Sequence, residues 1–263
     1  MIGRFFRLAW RQMCVQLQIR IFKKFTLALY FLQPLIFSAV SMILARAAGN
    51  KAPDLVYSVI GGGIMGMWSG LVFTSTYDIA RDRRDGTLEL IVGSPTSLGK
   101  VEAIRTFTNV IAGLVSLVIA FLAAVVFFNY PLASVNAPAA LVSLMLILFS
   151  FWCTGIWLAN FLVWSRLSGS LVEFLEVPVA LLCGFMFPLR VLPVWMQTIS
   201  AIFPVRWALQ AMDAALAGNV DPAWLWQQWG LAVGISIILW LLAYWMDRKV
   251  HDLVRISGEL NSI

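Results

Sequence analysis

From Phe25 to Leu44 the chain runs twenty residues without one ionised side chain. At 1.5 Å per residue a helix of that length spans about 30 Å, the thickness of a bilayer's hydrocarbon core. Similar apolar segments recur, and the spans read as Lys24–Ala45, Leu55–Ile79, Thr106–Phe128, Ala139–Trp164, Leu171–Phe187 and Ala223–Met246. Backbone amides in lipid must be satisfied within their own segment, so these spans are expected to be helices. The alternating pattern of a barrel strand is absent. Composition agrees: 61% of the 263 residues are apolar and 12% charged, against about 45–50% and about 25% in soluble domains. A soluble globule, disorder, a coiled coil, collagen and a disulfide scaffold are all excluded. The expectation is an all-α polytopic membrane protein of six transmembrane helices, forming a single transmembrane domain over residues 1–263.

The N-terminus is expected to stay on the protein. Ala45-Arg46-Ala47 imitates a signal-peptidase site, but the preceding apolar run is longer than a signal h-region of about 7–15 residues. Ahead of it, residues 4–22 place Arg4, Arg7, Arg11 and Gln18 on one helical face and Phe6, Trp10, Met13 and Leu17 on another. That pattern predicts an amphipathic helix lying in the headgroup layer, its cations drawn to anionic membrane lipid. Lys and Arg set the orientation. Six precede the first span's core, five lie in 81–105, one in 165–170 and three after Met246, making fifteen of nineteen. The opposite side holds Arg46, Lys51, Arg190 and Arg206. By the positive-inside rule both termini are cytoplasmic. The net charge of +6 therefore reports topology, and no nucleic-acid partner is expected.

Within the second span Gly62, Gly66 and Gly70 recur every fourth residue. Such a stripe lets helix backbones approach closely, either at a subunit or gate interface or in packing within one subunit. After that span comes Arg81-Asp82-Arg83-Arg84-Asp85-Gly86-Thr87-Leu88-Glu89, then Leu90, Ile91 and Val92 before Gly93-Ser94-Pro95. Mixed charge ahead of an apolar run and a helix stop predicts a short helix over 81–95, presented to a soluble partner. Gly93 to Lys100 imitates a phosphate loop, but five residues separate its glycines and Val101 replaces the magnesium-binding hydroxyl. The chain is thus expected to bind no nucleotide and to lack hydrolytic machinery.

Near the opposite side an apolar stretch is interrupted by Pro188, Pro193 and Pro204. Prolines break the pieces to about ten residues, too short to cross. They predict re-entrant half-helices over 190–216, before the last span. Glu173 and Glu176 stand one turn apart at the start of the fifth span. Acids at membrane depth often mark a pathway; these two sit either at a pathway entrance or at headgroup level beside Arg166. Cys14, Cys153 and Cys183 have no metal-ligand spacing and His251 has no partner cluster, so neither a metal site nor a catalytic residue is expected.

These residues resemble the permease subunits of bacterial ABC-2 type transporters, related in fold to the ABCG and ABCA lipid and drug exporters. The resemblance spans essentially the whole chain. It is most specific at Arg81–Pro95, where Asp82 stands for the usual, longer acidic residue. It is equally specific at Gly184, Phe187, Pro188, Leu192, Pro193, Trp195, Pro204 and Ala208. It implies that 4–22 is a connecting helix. Residues 81–95 would be the coupling helix that contacts an ABC ATP-binding subunit, through Arg81, Asp82, Arg84, Asp85, Gly86, Thr87, Leu88 and Glu89. Phe187, Pro188, Leu192, Pro193 and Trp195 would form an extracellular gate. Two copies of the chain would pair as a homodimer over two ATPase subunits, which hold ATP and magnesium. The pathway would run between the permeases, lined by the second and fifth spans. The expected function is export of a lipophilic or amphipathic substrate across the bacterial cytoplasmic (inner) membrane, with ATP hydrolysed by the partner. An intramembrane enzyme or a signalling subunit is the alternative, with Glu173 and Glu176 its sole candidate groups. Few ionisable residues lie mid-span, which disfavours a proton- or sodium-driven carrier.

Overall fold

Small residues on a helix let several neighbours approach it closely, and the second apolar run carries Gly61, Gly62, Gly63, Gly66 and Gly70. The computed structural model describes residues 32–40, 43, 52–86, 98–128, 136–165, 174, 176–185, 189, 192–218 and 221–257. Among them no strand occurs. The helices are α1 (32–40), α2 (Ala52–Arg84), α3 (Leu98–Phe128), α4 (Ala137–Ser165), α5 (Glu176–Leu182), α6 (Val194–Ser200), α7 (Pro204–Ala217) and α8 (Pro222–Ser257). The predicted helix over 4–22 lies outside the described residues.

α2 is the centre of the bundle. Every residue from Ile60 to Val72 is buried, on all sides of the helix. A Cβ on Gly62 would meet the backbone of Ser38, and one on Gly66 would lie 2.5 Å from Pro34 Cγ; both glycines therefore seat α1. On another face, a Cβ on Gly63 would fall 2.7 Å from that of Ala120, while Gly113 of α3 accommodates Met67. Gly155 of α4 accommodates Leu71 and Thr106. Between helices in lipid, close van der Waals contact replaces the hydrophobic drive, so each missing side chain sets an approach distance. A triangle of Trp68, Phe151 and Phe185, with ring centroids 6.0–6.4 Å apart, locks α2 to α4 and to the turn after α5.

The outer helices are arranged oppositely. α3 exposes Phe107, Ile111, Val115, Val118 and Leu122, an apolar stripe at helical spacing. Its buried side carries Glu102, Arg105, Thr106, Thr108, Asn109 and Ser116. α8 exposes Ile237, Ile238, Leu241 and Leu242 and joins α4 through Ser150–Ser236 and Trp229–Ser143 hydrogen bonds of 3.2 and 3.0 Å. Segments Gly99–Leu122, Ala137–Leu162 and Pro222–Lys249 are long and apolar enough to cross a membrane.

Two boundaries differ from expectation. α2 runs on through Arg84 and ends at Gly86, whose φ of 66° suits the left-handed turn. Arg81 to Arg84 thus form the last turn of a long helix, not the start of a separate short one. The fifth span stops at Leu182, short of Phe187. Gly184, at φ 75°, donates to Leu181 O and Phe185 donates to Ala180 O, the paired bonds of a Schellman cap. The middle of the second span is enclosed by α1, α3, α4 and α5, which accords with packing within one subunit, one of the two readings its glycine stripe allows.

Candidate functional site

Two polar clusters and one clamp stand out against the apolar bundle. The first lies where α2 emerges. Asp82 is 3% exposed and accepts a hydrogen bond from Arg105 Nη1 of α3, which also reaches Glu102 Oε1 at 2.9 Å. A guanidinium is the cation suited to serve two carboxylates from one rigid planar group. Asp82 therefore ties the root of the predicted coupling segment to α3. One turn of α3 earlier, Gly99 N–H donates to Asp247 Oδ1 of α8 at 2.8 Å. Asp247 caps α3 from a different helix, satisfying one of its free amides. Trp152 of α4 donates to Ala103 O at 2.9 Å. At this end α2, α4 and α8 are all fastened to the first two turns of α3.

The neighbouring residues of the predicted contact set are open. Asp85 and Gly86 are exposed, and Arg81 lies 3.9 Å from Asp85 in a half-exposed pair. Such a pair contributes little stability and leaves both groups available to a partner. The Arg84 side chain and residues Thr87, Leu88 and Glu89 lie outside the described set, as does the rest of the stretch up to Ser97.

The second cluster sits in the bundle interior. Glu176, 5% exposed, accepts from Ser69 Oγ, and Gln33 Nε2 lies 2.7 Å from Ser69 Oγ and 3.3 Å from Glu176 Oε1. Trp68 Nε1 donates to the backbone carbonyl of Glu176 at 3.1 Å. Helices α1, α2 and α5 thus meet on one carboxyl group. Sequence alone left Glu176 between a pathway entrance and the headgroup level; the structure puts it inside the protein. Glu173 and Arg166 fall outside the described residues. Gly70, the third glycine of the stripe, is buried one residue past Ser69, and its carbonyl accepts from Thr74 Oγ1 at 2.5 Å.

The clamp holds the proline-broken segment. After Pro193, α6 is followed by α7 across a turn at 201–203. Arg206 of α7 donates to Gln197 O and, at 2.7 Å, to Ser200 Oγ, while Trp207 Nε1 donates to Ala201 O at 3.0 Å. The cation thus satisfies the end of α6, where helix carbonyls lack partners and the dipole is negative. Trp195 is 63% exposed and Val194 79%, so α6 presents apolar surface outward while α7 buries Val205, Ala208 and Leu209. Leu192 N bonds Leu189 O at 3.1 Å. Phe187 and Pro188 lie outside the described residues.

Sequence reasoning did not single out Arg105, Glu102, Asp247, Ser69 or Gln33. The one local signal was Glu102-x-x-Arg105, an i,i+3 pair at the head of an apolar helix. Asp82 and Asp247 reach that helix from 23 and 148 residues away, separations with no periodicity to read. Among the described residues no group of His, Cys, Asp and Glu could hold a metal ion.

Helices of spanning length, apolar faces outward and charged or polar residues inward define a multi-pass helical membrane protein. Residues 3–216 match the family model described as "ABC-2 type transporter", and the chain belongs to that family. It is therefore the transmembrane component of a transporter, and members of the family normally work with an ATP-binding subunit. No curated protein matches it.

Proposed function

We propose that the chain is the permease subunit of an ATP-driven exporter for a lipophilic or amphipathic compound: a drug, an antibiotic, a lipid or a lipid-linked glycan. Two copies form a homodimer in the bacterial inner membrane, with six spans each and both termini cytoplasmic. Two ATPase subunits beneath them carry ATP and magnesium. Residues 81–95 contact the ATPase, with Arg81, Arg84, Asp85, Thr87 and Glu89 as the polar contacts and Leu88 as the apolar one. The α6–α7 segment, with Leu192, Pro193 and Trp195, is re-entrant and closes the pathway on the far side together with Phe187 and Pro188.

One observation carries this reading: Asp82, at the root of the coupling segment, is bound through Arg105 to α3, the helix that Asp247 and Trp152 also grip. A push on residues 85–95 then displaces a fastened group of helices rather than a free loop. ATP bound elsewhere can bias a two-state pathway only through such a differential contact.

The test uses proteoliposomes holding the chain with its ATPase, and lipophilic dyes as probes. Expected is ATP-dependent dye export that Asp85→Ala with Glu89→Ala abolishes, the purified variant melting as wild type does. Arg105→Met should uncouple hydrolysis from movement, whereas Arg105→Lys keeps part of the coupling. Absence of ATP-dependent movement of any probe, with intact coupling-segment variants behaving as wild type, would overturn the proposal. Loss of a measured turnover in Glu173→Gln/Glu176→Gln, with the 81–95 stretch tolerant of change, would instead support an intramembrane enzyme.

A further inference from the structure

α8 carries its rings in two groups, the first partly turned inward, where Trp229 donates to Ser143 of α4. Trp226, 70% exposed, stands near the start with Trp224 and Trp229; Trp240, Tyr244 and Trp245, each about half exposed, stand near the other end. Trp226 and Trp245 are separated along the axis by about 28 Å at 1.5 Å per residue, close to the ~30 Å hydrocarbon thickness. Indole and phenol rings favour the two headgroup boundaries. The groups therefore mark both edges of the bilayer on one helix. Arg248 and Lys249, one turn past Tyr244 and Trp245, fall at the level of the lipid phosphates.

Those two cations are exposed and held by rings. The Arg248 guanidinium carbon is 4.6 Å from the Tyr244 ring centre, and Lys249 Nζ is 5.5 Å from that of Trp245. Trp240 stacks on Tyr244, 6.3 Å away and inclined by 16°. Stacking of this kind orients a cation without neutralising it. Asp247, the acid of the same turn, points the other way: it is 8% exposed and occupied by the Gly99 amide. The outward face of this turn is thus cationic and aromatic, continuous with the apolar surface of Ile237, Ile238, Leu241 and Leu242.

We propose that this end of α8 is a binding site for an anionic phospholipid, whose phosphate lies between Arg248 and Lys249 and whose glycerol and upper acyl chains lie against Tyr244, Trp245 and Trp240. The charge complementarity selects a net-negative headgroup over a zwitterionic one. The assignment rests on α8 crossing the bilayer and not on transport, so either can fail without the other.

Native mass spectrometry of the purified chain, offered phosphatidylglycerol and phosphatidylcholine in equal amounts, tests it. Wild type is expected to retain phosphatidylglycerol with roughly tenfold preference. Arg248→Gln/Lys249→Gln should lower that preference several-fold, and Arg248→Lys/Lys249→Arg should keep it. Equal retention of the two lipids by wild type, or unchanged preference in the glutamine pair, would refute the site. If the glutamine pair does not fold, wild type is measured near 1 M salt, where the screening length is about 3 Å. The preference should then vanish, and its persistence would count as refutation.

Discussion

At the scale of single residues, glycine positions in this protein fall into two kinds distinguished by what a methyl group would meet. Gly62 and Gly66 face the backbone of Ser38 and the ring of Pro34, neither of which can yield cheaply, whereas Gly230 and Gly234 of α8 have nothing within 4 Å. Gly66→Ala is therefore expected to destabilise by about 1–3 kcal/mol through overpacking. Gly230→Ala should be neutral or stabilise by up to about 1 kcal/mol, since alanine is the better helix former. Thermal unfolding of the two variants in detergent separates them, and equal melting temperatures would contradict the packing described. Spacing alone disclosed the stripe in the sequence, but not which helix it faced. The same limit applies to the acids. Glu176 and Asp82 are legible as costly residues beside apolar runs, yet their partners Ser69 and Arg105 lie on other helices.

Among the elements, α3 is tied by hydrogen bonds to three other helices within its first two turns. Asp247 supplies its cap, an interaction that an asparagine side chain reproduces and an alanine cannot. Asp247→Ala should cost about 1 kcal/mol and speed hydrogen exchange at the amides of residues 99–102, while Asp247→Asn should leave both near wild type. Equal exchange in the two variants would show that the contact is incidental. The junction of α6 and α7 behaves as another unit, since Arg206 satisfies carbonyl and hydroxyl groups at the end of α6 from the first turn of α7. Removing that cation in Arg206→Met should raise exchange at α6 before α7, because α7 keeps its buried apolar face. Helix existence was readable from apolar length and from proline placement. The ends were not, because α2 outlasts its apolar run and α5 stops at a glycine whose sign of φ is invisible in one sequence.

For the molecule as a whole, the charge bias predicts a sidedness that labelling checks. Cys153 and Cys183 are 0% and 2% exposed and should resist maleimide. In a Cys14→Ser background, Asp85→Cys should label only with reagent on the cytoplasmic side and Asp221→Cys only from outside; labelling of both from one side would reject the topology. What the sequence determined by itself is the medium, the helical class and the family, because bilayer thickness, backbone hydrogen bonding and a local motif at 81–95 each act over neighbouring residues. Only the tertiary structure decided that the glycine-rich span is the enclosed centre, that Glu176 is interior, and that Asp82 and Asp247 are joined to α3. Those outcomes depend on which helices meet, and contact between residues tens of positions apart is set by packing shape rather than by any periodicity along the chain.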